Sequence, residues 1–130
     1  VRAILARSGA EHYALPLTHV RETVEYDEHS VRTVQGTDML VLRDEVLPLL
    51  HLREVVGQGG APGPRREIAV IARGDRRSGL VVDELIGQED IVVKQFDAPR
   101  DGLALFSGAT ILADGAPALI MDVGSLLGGS

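Results

Sequence analysis

Residues 106–127 read FSGATILADGAPALIMDVGSLL, and two apolar runs in this stretch flank the dipeptide Asp114-Gly115. Glycine, and next to it aspartate, tolerates the positive φ that a tight primed turn between two strands requires. Asp122 follows the second run, at a position from which its side chain can cap a short helical turn that Gly128 then ends. The stretch therefore predicts a strand, a tight turn, a second strand and a short apolar helix.

A second unit of the same kind lies in the first half of the chain. The apolar runs MLVL (39–42) and VLPLL (46–50) flank residues 43–45, which predicts another hairpin. Residues 51–56 then predict a short helix that ends at Gly57.

Other apolar or alternating runs predict further strands. These runs are residues 2–7, 12–17, 67–72, 78–85 and 91–94. Residues 18–26 fit either a helical turn or a bent strand, and residues 96–104 are expected to be irregular. Residues 58–65 are rich in glycine and proline, which is typical of a linker.

The two halves resemble each other in sequence. AILAR at 3–7 matches AVIAR at 69–73, which begins 66 residues further on, and the offset grows to 70 and then 71 towards the second helix. Order, spacing and the terminal glycines agree, although any hairpin-rich chain shows some chance self-similarity. We therefore predict an all-β chain with an internal repeat: one barrel of about five strands at 1–57, a linker at 58–65 and a second barrel at 66–130. The two barrels pack together and carry short helical stubs.

Composition and charge exclude several classes of function. The net charge is −6, which argues against a nucleic-acid partner because phosphate binding needs a basic surface. The chain has no cysteine, and no apolar run reaches the roughly 20 residues of a membrane span, so we expect no direct membrane insertion. Because the sequence starts at Val1 rather than Met, we expect it to be a segment of a longer protein.

No constellation of catalytic residues is recognisable. The four histidines form no i, i+4 pair, no Ser lies in a G-x-S-x-G motif, and no glycine-rich loop joins a strand to a helix. The acidic pairs are adjacent in sequence, so in a strand their side chains point to opposite faces. We expect no catalytic residue, no metal site and no cofactor. Small barrels with a core of Ala, Val and Leu usually serve as interaction modules.

Four segments together resemble a known family. YALPL (13–17), LVLRDEVLPLLHLREVVG (40–57), SGLVVDELIGQEDIVVK (78–94) and FSGATILADGAPALIMDV (106–123) look like the CheW-like domain of bacterial chemotaxis. The variant most similar to this chain is the C-terminal regulatory domain of the histidine kinase CheA. The resemblance covers residues 3–127 and implies two packed SH3-like barrels.

The resemblance also implies partners and a role. The domain would bind a CheW-type adaptor and the cytoplasmic tips of chemoreceptors, and would regulate the kinase domain of the same parent chain. It would act in the cytoplasm, in membrane-associated receptor arrays, and would itself catalyse nothing. One alternative is a free-standing CheW-type coupling adaptor. Another is a barrel domain that binds a small ligand, although no pocket-specific residue supports that alternative.

Family positions implicated in partner binding carry over to two groups of residues. A Glu after the second strand and an Arg before the hairpin turn match Glu22 and Arg43. Val20 matches an apolar family position on the same surface, and its alternative is a place in the core. The family usually has Arg-Gly at that turn, whereas Asp44 follows Arg43 here. The predicted partner-binding residues are Val20, Glu22, Arg43, Asp44, Leu85, Ile86 and Gln88. For Glu22 and Arg43 the alternative is a surface ion pair that adds little stability.

Overall fold

A computed structural model describes residues 1–95 and 105–128 of the chain, which form twelve strands and two short helices. The strands of the first half are β1 Arg2–Ser8, β2 Glu11–Pro16, β3 Val20–Glu25, β4 Val31–Val34, β5 Thr37–Leu42 and β6 Glu45–His51. Those of the second half are β7 Glu67–Arg73, β8 Arg76–Val82, β9 Glu84–Asp90, β10 Lys94–Gln95, β11 Phe106–Ile111 and β12 Pro117–Met121. The helices are α1 Leu52–Val55 and α2 Val123–Leu126.

The strands form two six-stranded sheets. The first sheet has the order β10-β11-β12-β2-β1-β9, and the second has the order β3-β7-β8-β6-β5-β4. The all-β prediction with short helices is confirmed, but in the described part of the chain neither sheet closes into a barrel by backbone pairing. Each sheet combines four strands from one side of residues 58–65 with two strands from the other side. The sheets therefore do not divide the chain at the predicted linker.

The internal repeat is present in the topology. Each strand of the second sheet corresponds to the strand six places later in the chain, counting on from β12 to β1. With this correspondence the second sheet becomes β9-β1-β2-β12-β11-β10, which is the first sheet read from its other edge. Gly9 and Gly74 hold equivalent turns at φ 61° and φ 63°, so the offset there is 65 residues rather than the predicted 66. Both sheets also join their halves through a short parallel pair, Leu49 with Gly79 and Ile120 with Ala14. Two half-chains have thus exchanged their first two strands.

Three apolar clusters hold the sheets together. The central core lies between the sheets and takes residues from both, among them Ala6, Leu15, Leu52, Ile71, Leu80 and Met121. The first-sheet core consists of Ala3, Leu5, Ala14, Ile91, Leu112, Ala118 and Ile120. The second-sheet core consists of Leu40, Leu49, Ile68 and Val81. Strands β1 and β7 contribute to two cores each, which explains why their sequences are apolar without alternation.

The hairpin of β11 and β12 is confirmed, but its turn is longer than predicted. The Leu112 N–H donates to the Ala116 carbonyl at 2.8 Å, and the Gly115 N–H donates to the Leu112 carbonyl at 2.9 Å. Gly115 has φ 88°, whereas Asp114 does not take a positive φ. The loop is therefore of the three-residue kind with glycine in the left-handed position. The Asp114 carboxylate instead accepts the Ala116 N–H at 2.9 Å.

Both helical stubs lie where the sequence predicts them. The Asp122 carboxylate accepts the Ser125 N–H at 3.2 Å, as expected of a residue that caps α2. Gly57 and Gly128 follow the two helices with φ values of 75° and 72°, the left-handed conformation that ends a helix.

Two strand predictions need correction. The predicted strand 78–85 ends at Val82, because the chain bends at Asp83 before β9. Of the predicted strand 91–94, only the last residue is in β10. For residues 18–26, which fit either a helical turn or a bent strand in sequence, the structure has a 3-10 turn at Leu17–His19 that leads directly into the bulged strand β3. Residues 96–104, expected to be irregular, lie outside the described residues.

Candidate partner-binding surface

Glu22 and Arg43 form a two-pronged ion pair. Arg43 lies in the turn between β5 and β6 with φ 53°, and Glu22 lies on the edge strand β3. The Arg43 guanidinium donates through Nη1 to Glu22 Oε1 at 3.2 Å and through Nη2 to Oε2. Since β3 is separated from β6 and β5 by β7 and β8 in the sheet, the pair shows that the second sheet curls and brings β3 close to the turn between β5 and β6.

The ion pair shifts the titration of both partners. The hydrogen bond from Arg43 lowers the pKa of Glu22, and the charges of Arg43 and Arg77 lower it further. The hydrogen bond to Glu22 raises the pKa of Arg43, with smaller contributions from Glu45 and Asp44. The Arg43 side chain is 64% exposed and that of Glu22 30% exposed, so we expect the pair to add little to stability.

A second ion pair lies beside the first. Arg77 on β8 donates through Nη1 to Glu45 at the start of β6. We call the four residues Glu22, Arg43, Glu45 and Arg77 the charged mouth. Glu45 pairs in register with Leu42, which packs against the second-sheet core, so the charged mouth lies at one end of that core.

Exposed valines accompany the turn that carries Arg43. Val41 and Val46 are directly opposite each other on β5 and β6, and their exposed fractions are 44% and 59%. We call Val41, Arg43, Asp44 and Val46 the hairpin tip. A surface that combines an exposed apolar pair with neighbouring charges is suited to contact a protein partner. Sequence reasoning missed both valines, although the Leu-Val alternation from Leu40 to Leu42 was a signal that Val41 faces outward.

The structure separates Val20 from this surface. Val20 pairs with Ile71, and a bulge at Arg21 separates it from Glu22, which pairs with Val70. Val20 is half-buried and packs against the central core. Of the first predicted group, the structure therefore brings Glu22 and Arg43 into contact, leaves Asp44 next to them in the turn, and places Val20 towards the core.

The second predicted group lies on β9, the edge strand of the first sheet. Leu85 is partly buried against the central core, and its N–H donates to the Glu67 carboxylate at 2.9 Å. Ile86 sits in a bulge beside Gly87, which has φ 149°, and its side chain is 47% exposed. Gln88 is exposed and pairs with Ile4. Within residues 1–95 and 105–128, no hydrogen bond or ion pair joins this group to the charged mouth.

The two groups occupy equivalent places in the repeat. Leu85, like Val20, comes just before a bulge on an edge strand, and the offset between them is 65 residues. The same offset places Gly87 at the position of Glu22 and His12 at that of Arg77. The first sheet thus has no equivalent charged mouth at these positions, and the charges are not a requirement of the fold.

A second polar network connects strands rather than forming a reactive site. The His51 ring nitrogen Nε2 lies 2.9 Å from Asp38 Oδ2, and the Thr33 hydroxyl donates to Asp38 Oδ1 at 2.8 Å. Hydrogen bonds from Thr33 and His51 lower the pKa of Asp38. The three residues link β4, β5 and β6, so we assign the network to the structure of that sheet.

A metal site and a membrane-spanning helix are both absent from the described residues. The described ranges contain no group of three or more His, Cys, Asp or Glu side chains suited to hold a metal ion. In the same ranges, neither helix has the length and apolar character needed to cross a membrane.

The fold and the surface define a two-sheet β-domain with an exposed hairpin between β5 and β6. Comparison with known proteins assigns the domain to a family. The family model described as "CheW-like domain" matches residues 2–129, so the chain belongs to the CheW-like domain family. The predicted family is thereby confirmed.

Two curated relatives are CheA-type proteins. Sensor histidine kinase CheAY of Helicobacter pylori is 36% identical over 129 residues, which are 98% of this chain and 16% of that protein. Chemotaxis protein CheA of Salmonella typhimurium is 36% identical over 125 residues, which are 94% of this chain and 19% of that protein. The chain therefore spans less than a fifth of the length of these relatives.

A solved structure shares the fold. The scaffolding protein TtCheW from Thermoanaerobacter tengcongensis superposes with a TM-score of 0.80 at 18% sequence identity. The match covers 93% of this chain and 88% of TtCheW. At this identity the likeness concerns the fold alone.

Proposed function

We propose that this domain is the regulatory domain of a chemotaxis histidine kinase, and that it couples the state of chemoreceptors to kinase activity. It would do so by binding a CheW-type adaptor and the cytoplasmic receptor tips, in membrane-associated arrays. The observation that carries the proposal is the 36% identity to CheA proteins over 94–98% of the chain. The kinase activity itself would reside in other domains of the parent chain.

The surface of the second sheet supports a partner-binding role. The hairpin tip combines an exposed apolar pair with a guanidinium held at a fixed position by a carboxylate. The equivalent positions of the first sheet carry Gly87 and His12 in place of Glu22 and Arg77. Since the repeat folds without these charges, their presence in one sheet favours a role in recognition, where charged groups contribute specificity.

The connection of the hairpin to the interior suggests how a signal would pass. β6 runs directly into α1, whose first residue Leu52 is fully buried in the central core. The central core contains residues of both sheets, so a displacement of the hairpin would reach the strands of the first sheet. Coupling of this kind requires only that partner and kinase domain favour the same arrangement of the two sheets.

An amide NMR titration with a CheW-type adaptor from the same organism tests the proposal. We expect changes in the amide chemical shifts of residues 41–46 and of Glu22. We also expect Arg43→Glu to bind the adaptor at least about tenfold more weakly than the wild type. Arg2→Glu is the matched control, because Arg2 is also exposed and ion-paired but lies on β1, where it contacts Asp90 at 3.3 Å. Absence of shifts at high micromolar adaptor would contradict the proposal.

The second predicted group remains a separate proposal. If Leu85, Ile86 and Gln88 form a contact for a receptor tip or a second adaptor, Ile86→Asp should weaken that interaction. The exposed side chain makes this substitution compatible with folding. Unchanged affinity for both partners would remove the group from the binding surface.

A free-standing CheW-type adaptor is the alternative, because the chain covers 88% of the length of TtCheW with the same fold. The gene that encodes the chain separates the two functions. Kinase sequence upstream of Val1 in the same reading frame would favour the regulatory domain. An open reading frame that codes for this domain alone would favour the adaptor.

A further inference from the structure

Arg77 in the charged mouth has an unused donor. Its Nη1 donates to Glu45, but its Nε is buried and has no acceptor among the described residues. A buried N–H without an acceptor is unfavourable, so a carboxylate that approached Arg77 would find a donor ready to bind it. Glu22 on β3 and Arg77 on β8 flank the same strand β7, where their pairing partners Val70 and Ala72 are two residues apart, and the charge of Arg77 lowers the pKa of Glu22.

Arg43 is the outermost member of the charged mouth. Its side chain is 64% exposed, against 30% for Glu22 and 32% for Arg77. A partner that approaches the hairpin tip therefore meets the Arg43 guanidinium before it meets the other charges. A guanidinium fork is shaped to bind a carboxylate through two parallel hydrogen bonds.

Capture of Arg43 alone would leave Glu22 without its counter-charge at the end of the second-sheet core. This removes the hydrogen bond that favours the charged form of Glu22, at a modest cost for a side chain that is 30% exposed. A neighbouring guanidinium with a free N–H removes this cost, since every charge then keeps a partner.

We propose that the charged mouth exchanges ion pairs when a protein partner binds: an acidic side chain of the partner takes Arg43, and Arg77 takes Glu22 in its place. Arg77 is thus a positioning residue that acts through Glu22. The partner segment carries a Glu or Asp next to an apolar side chain that covers Val41 and Val46. The inference rests on the proposed function for the identity of the partner, but the exchange itself is a property of the domain alone.

A carboxyl-detected NMR pH titration of Glu22 in the isolated full chain tests the exchange. Arg43→Ala mimics capture of Arg43, and we expect the pKa of Glu22 to stay as low as in the wild type because a hydrogen bond from Arg77 replaces the one from Arg43. Arg43→Ala combined with Arg77→Gln should return the pKa to the ordinary value, and Arg43→Ala combined with Arg77→Lys should keep it low. Arg2→Ala is the control for the loss of a distant surface charge and should leave the titration of Glu22 unchanged.

A pKa of Glu22 in Arg43→Ala above that of the wild type would overturn the exchange. A structural role of Arg77 limited to holding Glu45 would give that result, because only the charge of Arg77, without a hydrogen bond, would then act on Glu22.

Binding of the adaptor tests the capture of Arg43. If the partner takes Arg43, Glu22→Gln releases this guanidinium and binding becomes equal or tighter, whereas Arg43→Ala weakens binding about tenfold or more. Equal weakening by both substitutions would mean that the partner recognises the intact ion pair, which overturns the capture. Failure of the unmodified domain to bind the adaptor would overturn the proposed function and the capture with it, while the titration of Glu22 decides the exchange independently.

Discussion

Gly79 is the position where the second-sheet core has no room for a methyl group. It lies on β8, opposite Leu49 in the parallel pairing with β6. A Cβ atom added at Gly79 would lie 2.7 Å from Leu49 Cδ2 and 2.9 Å from Ile68 Cγ2, both closer than carbon atoms approach in packed proteins. Because the two neighbours are themselves buried, Gly79→Ala must displace packed side chains.

The expected loss of stability follows from two opposing terms. Overpacking of a core costs about 1–3 kcal/mol, and the reduced freedom of the unfolded chain returns about 0.4–1 kcal/mol. The net loss in the free energy of unfolding is about 1–2 kcal/mol. With a urea m-value of about 1–3 kcal/mol per molar, the midpoint of unfolding should fall by roughly 0.3–2 M.

Urea denaturation followed by circular dichroism measures this midpoint. Gly59→Ala is the matched control, because among the described residues no atom lies within 4 Å of the added Cβ and the position does not require a positive φ. The control should be neutral or slightly stabilised. A midpoint for Gly79→Ala equal to that of the wild type would show that the second-sheet core accepts a methyl group, and would refute the packing described here.

Three further substitutions test polar contacts by the same denaturation assay. Gln58→Ala removes two hydrogen bonds at 2.8 and 2.9 Å to the buried Ser8, so we expect a loss of about 1–3 kcal/mol, and no loss would place those bonds in doubt. Asp122→Ala removes the cap of α2 and should cost about 1 kcal/mol, whereas an unchanged midpoint would show that the cap is not needed. Thr33→Val removes the largest cause of the lowered pKa of Asp38, whose ordinary value is near 3.8. A lowered folded-state pKa stabilises the fold above the ordinary value and loses its effect as the pH falls through the folded-state pKa. The variant should therefore be less stable than the wild type at pH 6 and approach it in acid below about pH 4, and a constant difference across that range would contradict the assignment.

Local features of the fold were predictable because a few adjacent residues encode them. The apolar runs around Asp114-Gly115 and around residues 43–45 specify both hairpins, and terminal glycines mark the ends of both helices. The exact turn at residues 113–115 was not predictable, since Asp-Gly suits both a two-residue primed turn and a three-residue turn with glycine last.

Long-range pairing was harder to obtain from the sequence. The unbroken apolar runs of β1 and β7 indicate that both faces are buried, but they do not indicate which strands lie on either side. The sequential arrangement of two barrels was therefore the simplest expectation, whereas the two half-chains exchange their first two strands. Because these runs lack alternation, the match between the two halves was predicted one residue out of register, at an offset of 66 rather than the observed 65.

The candidate surface was predictable only in part. Family resemblance pointed to Glu22 and Arg43, and the structure joins them in an ion pair. The pair between Glu45 and Arg77 was missed because its partners are 32 residues apart and no local pattern connects them. It becomes visible only when β6 and β8 are known to be parallel neighbours in the second sheet.

We propose that the hairpin tip of the second sheet binds a CheW-type adaptor. Isothermal titration of the adaptor into the wild-type domain, Arg43→Glu and the control Arg2→Glu tests this binding most directly. We expect the wild type and the control to bind with similar affinity, and Arg43→Glu to bind at least about tenfold more weakly. Equal affinities for all three proteins, or no binding by the wild type, would contradict it.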